Sequence, residues 1–185
     1  MSDVLDLYQA VILDHHRAPR NAGRLADPTH SAELNNPLCG DHVVVTLRVG
    51  QPGVLEARCD VRGCALCRAS GSLLTELVLG QPLAQATARV ERFLALLAPG
   101  PPTGAASVEA SAPSSTAKSG LTSELSAAGA PVVRLLGADA AELGSVAPLL
   151  QVQRFPSRVR CATLAWEALR AALREPLQDS ARVPC

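Results

Sequence analysis

Residues 54–78, VLEARCDVRGCALCRASGSLLTELV, contain a change of hydrophobic periodicity that decides the fold. In the first part apolar and charged residues alternate, which predicts a half-buried β-strand over 55–62. The side chains predicted on its buried face are those of Leu55, Ala57, Cys59 and Val61. From Cys64 the apolar residues recur at helical spacing until Gly80, which predicts an amphipathic helix.

The flanking sequence extends this unit on both sides. A β-branched run over 42–49 and a turn at 50–53 precede the strand, which predicts an antiparallel hairpin, and residues 31–36 predict one more short strand. Further helices are predicted over 3–17, 83–97, 139–150 and 161–174. The predicted fold class is α+β, with a small antiparallel three-stranded sheet and helices packed on it.

Residues 99–131 differ from their surroundings because they are almost entirely Ala, Gly, Pro, Ser and Thr. Such a segment buries too little apolar surface to offset its ordering entropy, so it is predicted to be a disordered insertion. The chain is therefore predicted to be a single domain over 1–175, interrupted at 99–131 and followed by a flexible tail at 176–185.

The bulk composition excludes several classes of partner. Lys+Arg and Asp+Glu both number 17, so the balanced charge predicts no general attraction to nucleic acid or acidic membranes. No stretch reaches the roughly 18 apolar residues that a membrane span requires, and the N-terminus does not resemble a signal peptide. We therefore expect a cytoplasmic protein, in which cysteines serve as metal ligands or nucleophiles more often than as disulfides.

Three of the six cysteines have ordinary structural interpretations. Cys59 lies on the inward face of its strand, and Cys67 lies on the apolar stripe of the following helix. Cys67 also completes a Cys-x-x-Cys spacing with Cys64, which is a weak signal without a second pair. Cys185 ends a polar tail and receives no role.

The other three cysteines occupy places where function is more common. Cys39 lies in the loop between two predicted strands, and Cys64 and Cys161 each open a predicted helix. The N-terminus of a helix stabilises a thiolate, which is the form that binds metals and attacks electrophiles. Spacing alone does not show that these positions converge, so a metal site remains one interpretation among others.

Four motifs together resemble one known family. Asn36-Pro37-Leu38-Cys39-Gly40-Asp41 is similar to the Asn-Pro-x-Cys-Gly-Asp signature of the SufU/IscU/NifU-N family of iron–sulfur cluster assembly proteins. Gly63-Cys64, followed by a helix that contains serine, resembles the second motif of that family, and residues 155–166 resemble the third motif of the SufU branch. The first helix, with Leu7-Tyr8, is also similar.

The resemblance implies a fold, a metal and a role for each ligand. Cys39, Asp41, Cys64 and Cys161 would meet at one exposed end of an α+β sandwich and bind Zn²⁺. Cys39 would be the ligand that leaves, replaced by a histidine of a SufS-type cysteine desulfurase, and would take persulfide sulfur from that partner. The sulfur would pass on to downstream cluster-assembly machinery or apo-proteins.

Two branches of the family remain open. In the alternative, the chain is a scaffold that carries a transient iron–sulfur cluster on Cys39, Cys64 and Cys161. The scaffold branch has a histidine just before the last cysteine, where this chain has Arg160, and it has a chaperone-docking motif that residues 154–159 lack. These differences and the insertion favour the zinc-dependent sulfurtransferase branch, a sulfur carrier and desulfurase activator.

The histidines have plain interpretations too. His15 and His16 fall late in the first helix, where a positive charge interacts favourably with the helix dipole, and His30 is expected to be solvated. His42 follows Asp41, so it either supports the site or simply begins a strand.

Overall fold

The computed structural model describes residues 2–98 and 143–177. The predicted insertion at 99–131 lies outside these ranges, as does the predicted tail apart from its first two residues, so both stay predictions. Those two residues continue the described chain, and the Leu177 amide donates to the Thr29 carbonyl at 2.8 Å. Within the described ranges, no helix is long and apolar enough to cross a membrane.

Three antiparallel strands form one sheet in sequence order. They are β1 (His30–Asn36), β2 (Asp41–Val49) and β3 (Val54–Arg62), with β2 in the centre. Because β2 has a neighbour on each side, it carries the most buried part of the sheet, and its side chains at Val43, Val45 and Leu47 are fully buried. The predicted three-stranded antiparallel sheet is confirmed.

The start of β3 does not follow the predicted alternation. Leu55 was expected to face inward, but 47% of it is exposed, whereas Val54 is 1% exposed. The pairing of β2 with β3 shifts between Arg48 and Val49, which brings Val49 opposite Val54. A bulge changes which side chains face the core, so the predicted inward positions hold only farther along, at Ala57, Cys59 and Val61.

In the part of the chain that the structure describes, four α-helices and one 3₁₀ helix surround the sheet. The α-helices are α1 (Ser2–Arg17), α2 (Ala65–Val78), α3 (Leu83–Leu97) and α4 (Pro156–Arg174), and the 3₁₀ helix spans Gly144–Arg154. Helix α2 packs on β3, and α4 packs on β1 and β2. Helices α2, α3 and α4 meet at Trp166 of α4. Its ring stacks on Phe93 of α3 with centroids 3.8 Å apart, and its Nε1 donates to Ser70 Oγ of α2 at 2.9 Å.

Two helix predictions need correction. The helix expected over 139–150 is a 3₁₀ helix from Gly144 onward, and it continues to Arg154. The last helix begins at Pro156 rather than at Cys161, because proline at the first helical position has a suitable φ and lacks only an N–H that would be unpaired there. Cys161 therefore lies in the second turn of α4 and not at its N-terminus.

His15 is a buried contact between α1 and α2, which the dipole interpretation did not predict. It is 6% exposed, its Nδ1 lies 2.8 Å from Ser72 Oγ, and its Nε2 lies 3.8 Å from a Glu76 carboxylate oxygen. Burial, with the nearby Arg20 cation, lowers the pKa of His15. The neutral ring is therefore the form that the fold favours. His30, expected in solvent, is also buried, and burial lowers its pKa as well.

We expect His15→Gln to reduce the free energy of unfolding by about 1 kcal/mol at neutral pH, because a buried hydrogen bond is altered. A histidine whose folded pKa is lowered stabilises the protein above its unfolded pKa of about 6.5, and this contribution is lost as the pH falls below that value. The variant should therefore lose less stability than wild type between about pH 7 and pH 5. Urea unfolding at several pH values measures this, and parallel pH profiles would contradict it.

Candidate metal centre

The four residues predicted to be ligands lie at one end of the sheet. Cys39 is in the turn that joins β1 to β2, and Asp41 is the first residue of β2. Cys64 is the N-cap of α2, directly after β3, and Cys161 projects from α4. Two connections of the sheet and one face of α4 therefore bring these side chains to the same place.

The turn that carries Cys39 is shaped by Asn36. The Asn36 side-chain oxygen accepts the Leu38 N–H at 3.2 Å, and its carbonyl accepts the Gly40 N–H at 2.8 Å. Gly40 has φ +74°, a left-handed conformation that glycine adopts without a steric penalty. The result is a tight turn that exposes Cys39 and leaves 93% of Leu38 exposed.

Cys39, Asp41 and Cys161 form a compact group of donors. One ligand atom from each lies within 4.8 Å of the others, and the two Sγ atoms are 3.9 Å apart. A tetrahedral zinc ion with Zn–S bonds of about 2.3 Å would place two sulfurs about 3.8 Å apart. The spacing of these thiols therefore fits a tetrahedral metal ion without rearrangement of the chain.

Cys64 approaches this group through Asp41. Its backbone N–H donates to Asp41 Oδ1 at 2.9 Å, and its Sγ lies 3.8 Å from Oδ2. Its sulfur also accepts the N–H of Cys67 at 3.4 Å, as the N-cap of α2. Cys64 is thus beside the site but outside the compact group, and a turn of its side chain would be needed to make it a fourth ligand.

Gly63 leaves the space that Asp41 occupies. A Cβ atom at position 63 would lie 2.3 Å from Asp41 Oδ1, which is far inside any normal contact. The glycine of the Gly63-Cys64 pair is therefore required by the close approach of the carboxylate and not by a turn conformation.

The electrostatics of the site favour a bound cation. Burial disfavours the charged carboxylate of Asp41, but hydrogen bonds from the Cys39 thiol, the Cys64 amide and the Cys161 thiol outweigh it and lower the pKa of Asp41. Burial, a hydrogen bond to Asp41 and neighbouring negative charge raise the pKa of Cys161. A metal ion would supply the positive charge that these acidic groups share.

Comparisons with known proteins identify the family of the chain. The sequence profile of the family described as NifU-like N terminal domain matches residues 7–118. The chain belongs to this family. It is 29% identical over 163 residues to the zinc-dependent sulfurtransferase SufU of Bacillus subtilis, covering 88% of this chain and 86% of that protein.

Two further comparisons report one relative of similar sequence and one solved structure of similar fold. It is 28% identical over 174 residues to the iron–sulfur cluster assembly scaffold protein IscU of Streptococcus pyogenes, covering 94% of this chain and 87% of that protein. A crystal structure of the N-terminal part of a NifU-like protein from Brucella abortus superposes with a TM-score of 0.62 at 20% identity. The superposition covers 91% of this chain and 93% of the Brucella abortus chain, and it supports the fold.

Other residues singled out from the sequence lie in different surroundings. Arg160, which stands where the IscU branch has histidine, forms an ion pair with Glu167 along α4. The His42 Nε2 atom lies 2.7 Å from a Glu33 carboxylate oxygen on the neighbouring strand, so this ring belongs to the sheet surface. Cys185 lies outside the described residues.

The two remaining cysteines are buried, as the sequence predicted. Burial raises the pKa of Cys59 to about 12, and burial with nearby negative charge raises the pKa of Cys67.

Two features of the site were not predicted. They are the space at Gly63 and the amide of Asn36, and the only sequence signal for them is that both belong to the family motifs.

We expect Gly63→Ala to reduce metal uptake, because the added Cβ displaces Asp41. Gly80→Ala is a matched control, since Gly80 has φ +74° but open space around a Cβ, and we expect it to cost about 1–2 kcal/mol of stability without affecting the site. Zinc content after incubation with Zn²⁺ and desalting measures uptake, and thermal unfolding measures stability. Equal zinc content in the two variants would contradict the role given to Gly63.

Proposed function

We propose that this chain is a zinc-bound sulfur acceptor that takes persulfide sulfur from a cysteine desulfurase on Cys39. One observation carries the proposal, namely the unequal exposure of the donor group. Asp41 and Cys161 are 2% and 7% exposed, whereas the Cys39 thiol is exposed on a turn. The group therefore has a fixed, buried part and one thiol that a partner protein can reach.

The donor set suits zinc. Cys39, Cys64 and Cys161 would provide three thiolates and Asp41 one carboxylate, which is a tetrahedral set of the kind that zinc accepts. When bound, zinc keeps the thiolates unprotonated at neutral pH. The carboxylate is the harder donor and the least matched to thiolate neighbours, which favours a site whose ligands exchange.

Sulfur transfer to Cys39 would be a thiol–persulfide exchange. The Cys39 thiolate attacks the outer sulfur of the partner's persulfide, a new S–S bond forms on Cys39, and the S–S bond in the partner breaks. The electron pair of the broken bond stays on the partner cysteine as a thiolate. The tight turn makes this feasible because Cys39 can move while β1 and β2 remain paired at Asn36 and Asp41.

The alternative function is that of a scaffold for a transient iron–sulfur cluster. Its support is that Cys39, Cys64 and Cys161 lie at the same end of the molecule, as thiolate ligands of a cluster must. The identity of Arg160 argues against it, because an arginine in the position before Cys161 offers no further ligand. We therefore favour the sulfur acceptor.

The surface beside Cys39 fits a protein partner. Leu38 is the most exposed of the large apolar residues in the described part of the chain, and it adjoins the thiol that would receive sulfur. An apolar side chain held at the tip of a tight turn gains free energy when a partner covers it. We infer that Leu38 contacts the desulfurase while Cys39 approaches its persulfide.

Cys39→Ala should abolish sulfur acceptance and stimulation of a cysteine desulfurase, because the nucleophile is removed. Cys59→Ala is the matched control, since Cys59 is buried in the core, and it should retain both properties. Radiolabelled cysteine supplied to the desulfurase, followed by non-reducing gel analysis, measures the sulfur on each variant.

The scaffold alternative gives a different result. Anaerobic incubation of wild type with iron and sulfide would then produce a stable visible absorbance, and the cluster would pass to an apo-acceptor faster than free iron and sulfide supply it. Such a result, together with no labelled sulfur on Cys39, would contradict the proposed function.

Leu38→Asp should leave zinc content unchanged and raise the concentration needed for half-maximal desulfurase stimulation by about tenfold or more, because burial of a leucine is worth about 1.5–3 kcal/mol. Leu55→Asp is the control, since Leu55 is 47% exposed but follows the turn at the opposite end of β2. Titration of the desulfurase assay with each variant measures this. The same shift in both variants would contradict a specific contact at Leu38.

A further inference from the structure

Cys64 and Cys67 form a pair that the proposed sulfur transfer does not use. Cys64 caps the N-terminus of α2 and its thiol is exposed, whereas Cys67 is in the first turn and is fully buried. The Cys67 N–H donates to Cys64 Sγ at 3.4 Å, so the Cys64 sulfur lies over the turn from which Cys67 projects. An accessible thiol with a second thiol behind it is the arrangement found at redox-sensitive cysteines.

The backbone geometry allows a disulfide between these two residues. Ala65 and Leu66, which separate them, are helical, and helical geometry places the two Cα atoms about 5 Å apart. Disulfides require a Cα separation of roughly 4.4–6.8 Å. Helical side chains also tilt toward the N-terminus, which directs the Cys67 side chain toward Cys64.

Cys64 is also the predicted ligand that can leave the site with the least disturbance. Cys39, Asp41 and Cys161 form the compact group without it, and the Cys64 sulfur lies 3.8 Å from Asp41 Oδ2. The backbone of Cys64 is held separately, by its N–H bond to Asp41 Oδ1. Rotation of the side chain toward Cys67 therefore moves one sulfur and leaves the chain in place.

We propose that Cys64 and Cys67 form a reversible disulfide that withdraws Cys64 from the metal site. The oxidant is a low-molecular-weight disulfide such as oxidised glutathione. The Cys64 thiolate attacks one of its sulfurs and releases one glutathione thiolate. The Cys67 thiol then attacks Cys64 Sγ, and the second glutathione leaves as a thiol that carries the Cys67 proton. Two protein thiols are oxidised and one disulfide is reduced, so the exchange is balanced.

The consequence of the disulfide for the metal rests on the proposed function. The oxidised chain keeps Cys39, Asp41 and Cys161 as ligands but loses Cys64, so its affinity for zinc falls. Reduction by a thiol restores Cys64. The pair thus couples the thiol–disulfide balance of the surroundings to the metal content of the sulfur acceptor.

A disulfide between Cys39 and Cys161 would compete with this one, because these two sulfurs lie close together. The Cys39 and Cys161 sulfurs lie 3.9 Å apart, so oxidation could join them instead. Trypsin separates the two cases, because cleavage after Arg62 and Arg68 releases the peptide Gly63–Arg68 with both Cys64 and Cys67. Cys39 and Cys161 occur in two other peptides.

The test uses the full-length, metal-free protein incubated with oxidised glutathione, quenched with acid, alkylated under denaturing conditions and digested. We expect the peptide 63–68 to appear unalkylated and two hydrogens lighter, while the peptides that contain Cys39 and Cys161 are alkylated. A cross-linked pair of the Cys39 and Cys161 peptides, or a lasting glutathione adduct on Cys64 in wild type, would overturn the proposal.

Cys67→Ala distinguishes the pair from general oxidation. It should accumulate the glutathione adduct on Cys64, because the resolving thiol is absent, and under reducing conditions it should keep its zinc and its sulfur acceptance. Cys59→Ala, which removes another buried thiol, should behave as wild type.

A dye that reports free zinc measures the coupling of the disulfide to the metal. Zinc-loaded wild type should release zinc after oxidation and bind it again when excess thiol is added. Retention of zinc despite the disulfide would refute the coupling. If the disulfide forms but no variant accepts sulfur, the proposed function fails and the redox pair stands.

Discussion

The buried carboxylate of Asp41 is the constraint on which the rest of this end of the molecule depends. It is 2% exposed, so its charge must be compensated locally, and the Cys64 amide 2.9 Å away supplies part of that compensation. The same carboxylate borders the thiols of Cys39 and Cys161 and fills the space that Gly63 leaves open. One side chain thereby fixes the β1–β2 turn, the β3–α2 junction and α4 relative to one another.

Local periodicity was enough to predict the sheet and three of the helices, because alternation and helical spacing depend on neighbouring residues. The errors occur where long-range pairing or backbone chemistry decides the structure. Leu55 is exposed because of a bulge opposite Arg48 and Val49, which no alternation rule can show. Helix α4 begins at Pro156, before its apolar spacing becomes visible, and the segment before it is a 3₁₀ helix that contains Pro148.

The site was predictable as a set of residues but not as an arrangement. Cys39 and Cys161 are 122 positions apart, and they meet because α4 packs on β1 and β2. Spacing rules for metal sites describe ligands close in sequence, so only the family resemblance connected these two. That resemblance did not reveal that Cys64 lies outside the compact group, which depends on the orientation of one side chain.

The division of the donors into buried and exposed members constrains the chemistry of the site. Asp41 and Cys161 are held by the core, and a raised pKa keeps the Cys161 thiol protonated unless a cation is present. Loss of the metal and protonation of Cys161 are therefore linked, because a metal ion and a proton compete for the same sulfur. Cys39 and Cys64 lie on a turn and at a helix end, where a thiol can move at little cost to the fold. The proposed sulfur acceptor, which would retain its metal yet release a thiol, requires this division, with binding in the core and exchange at the surface.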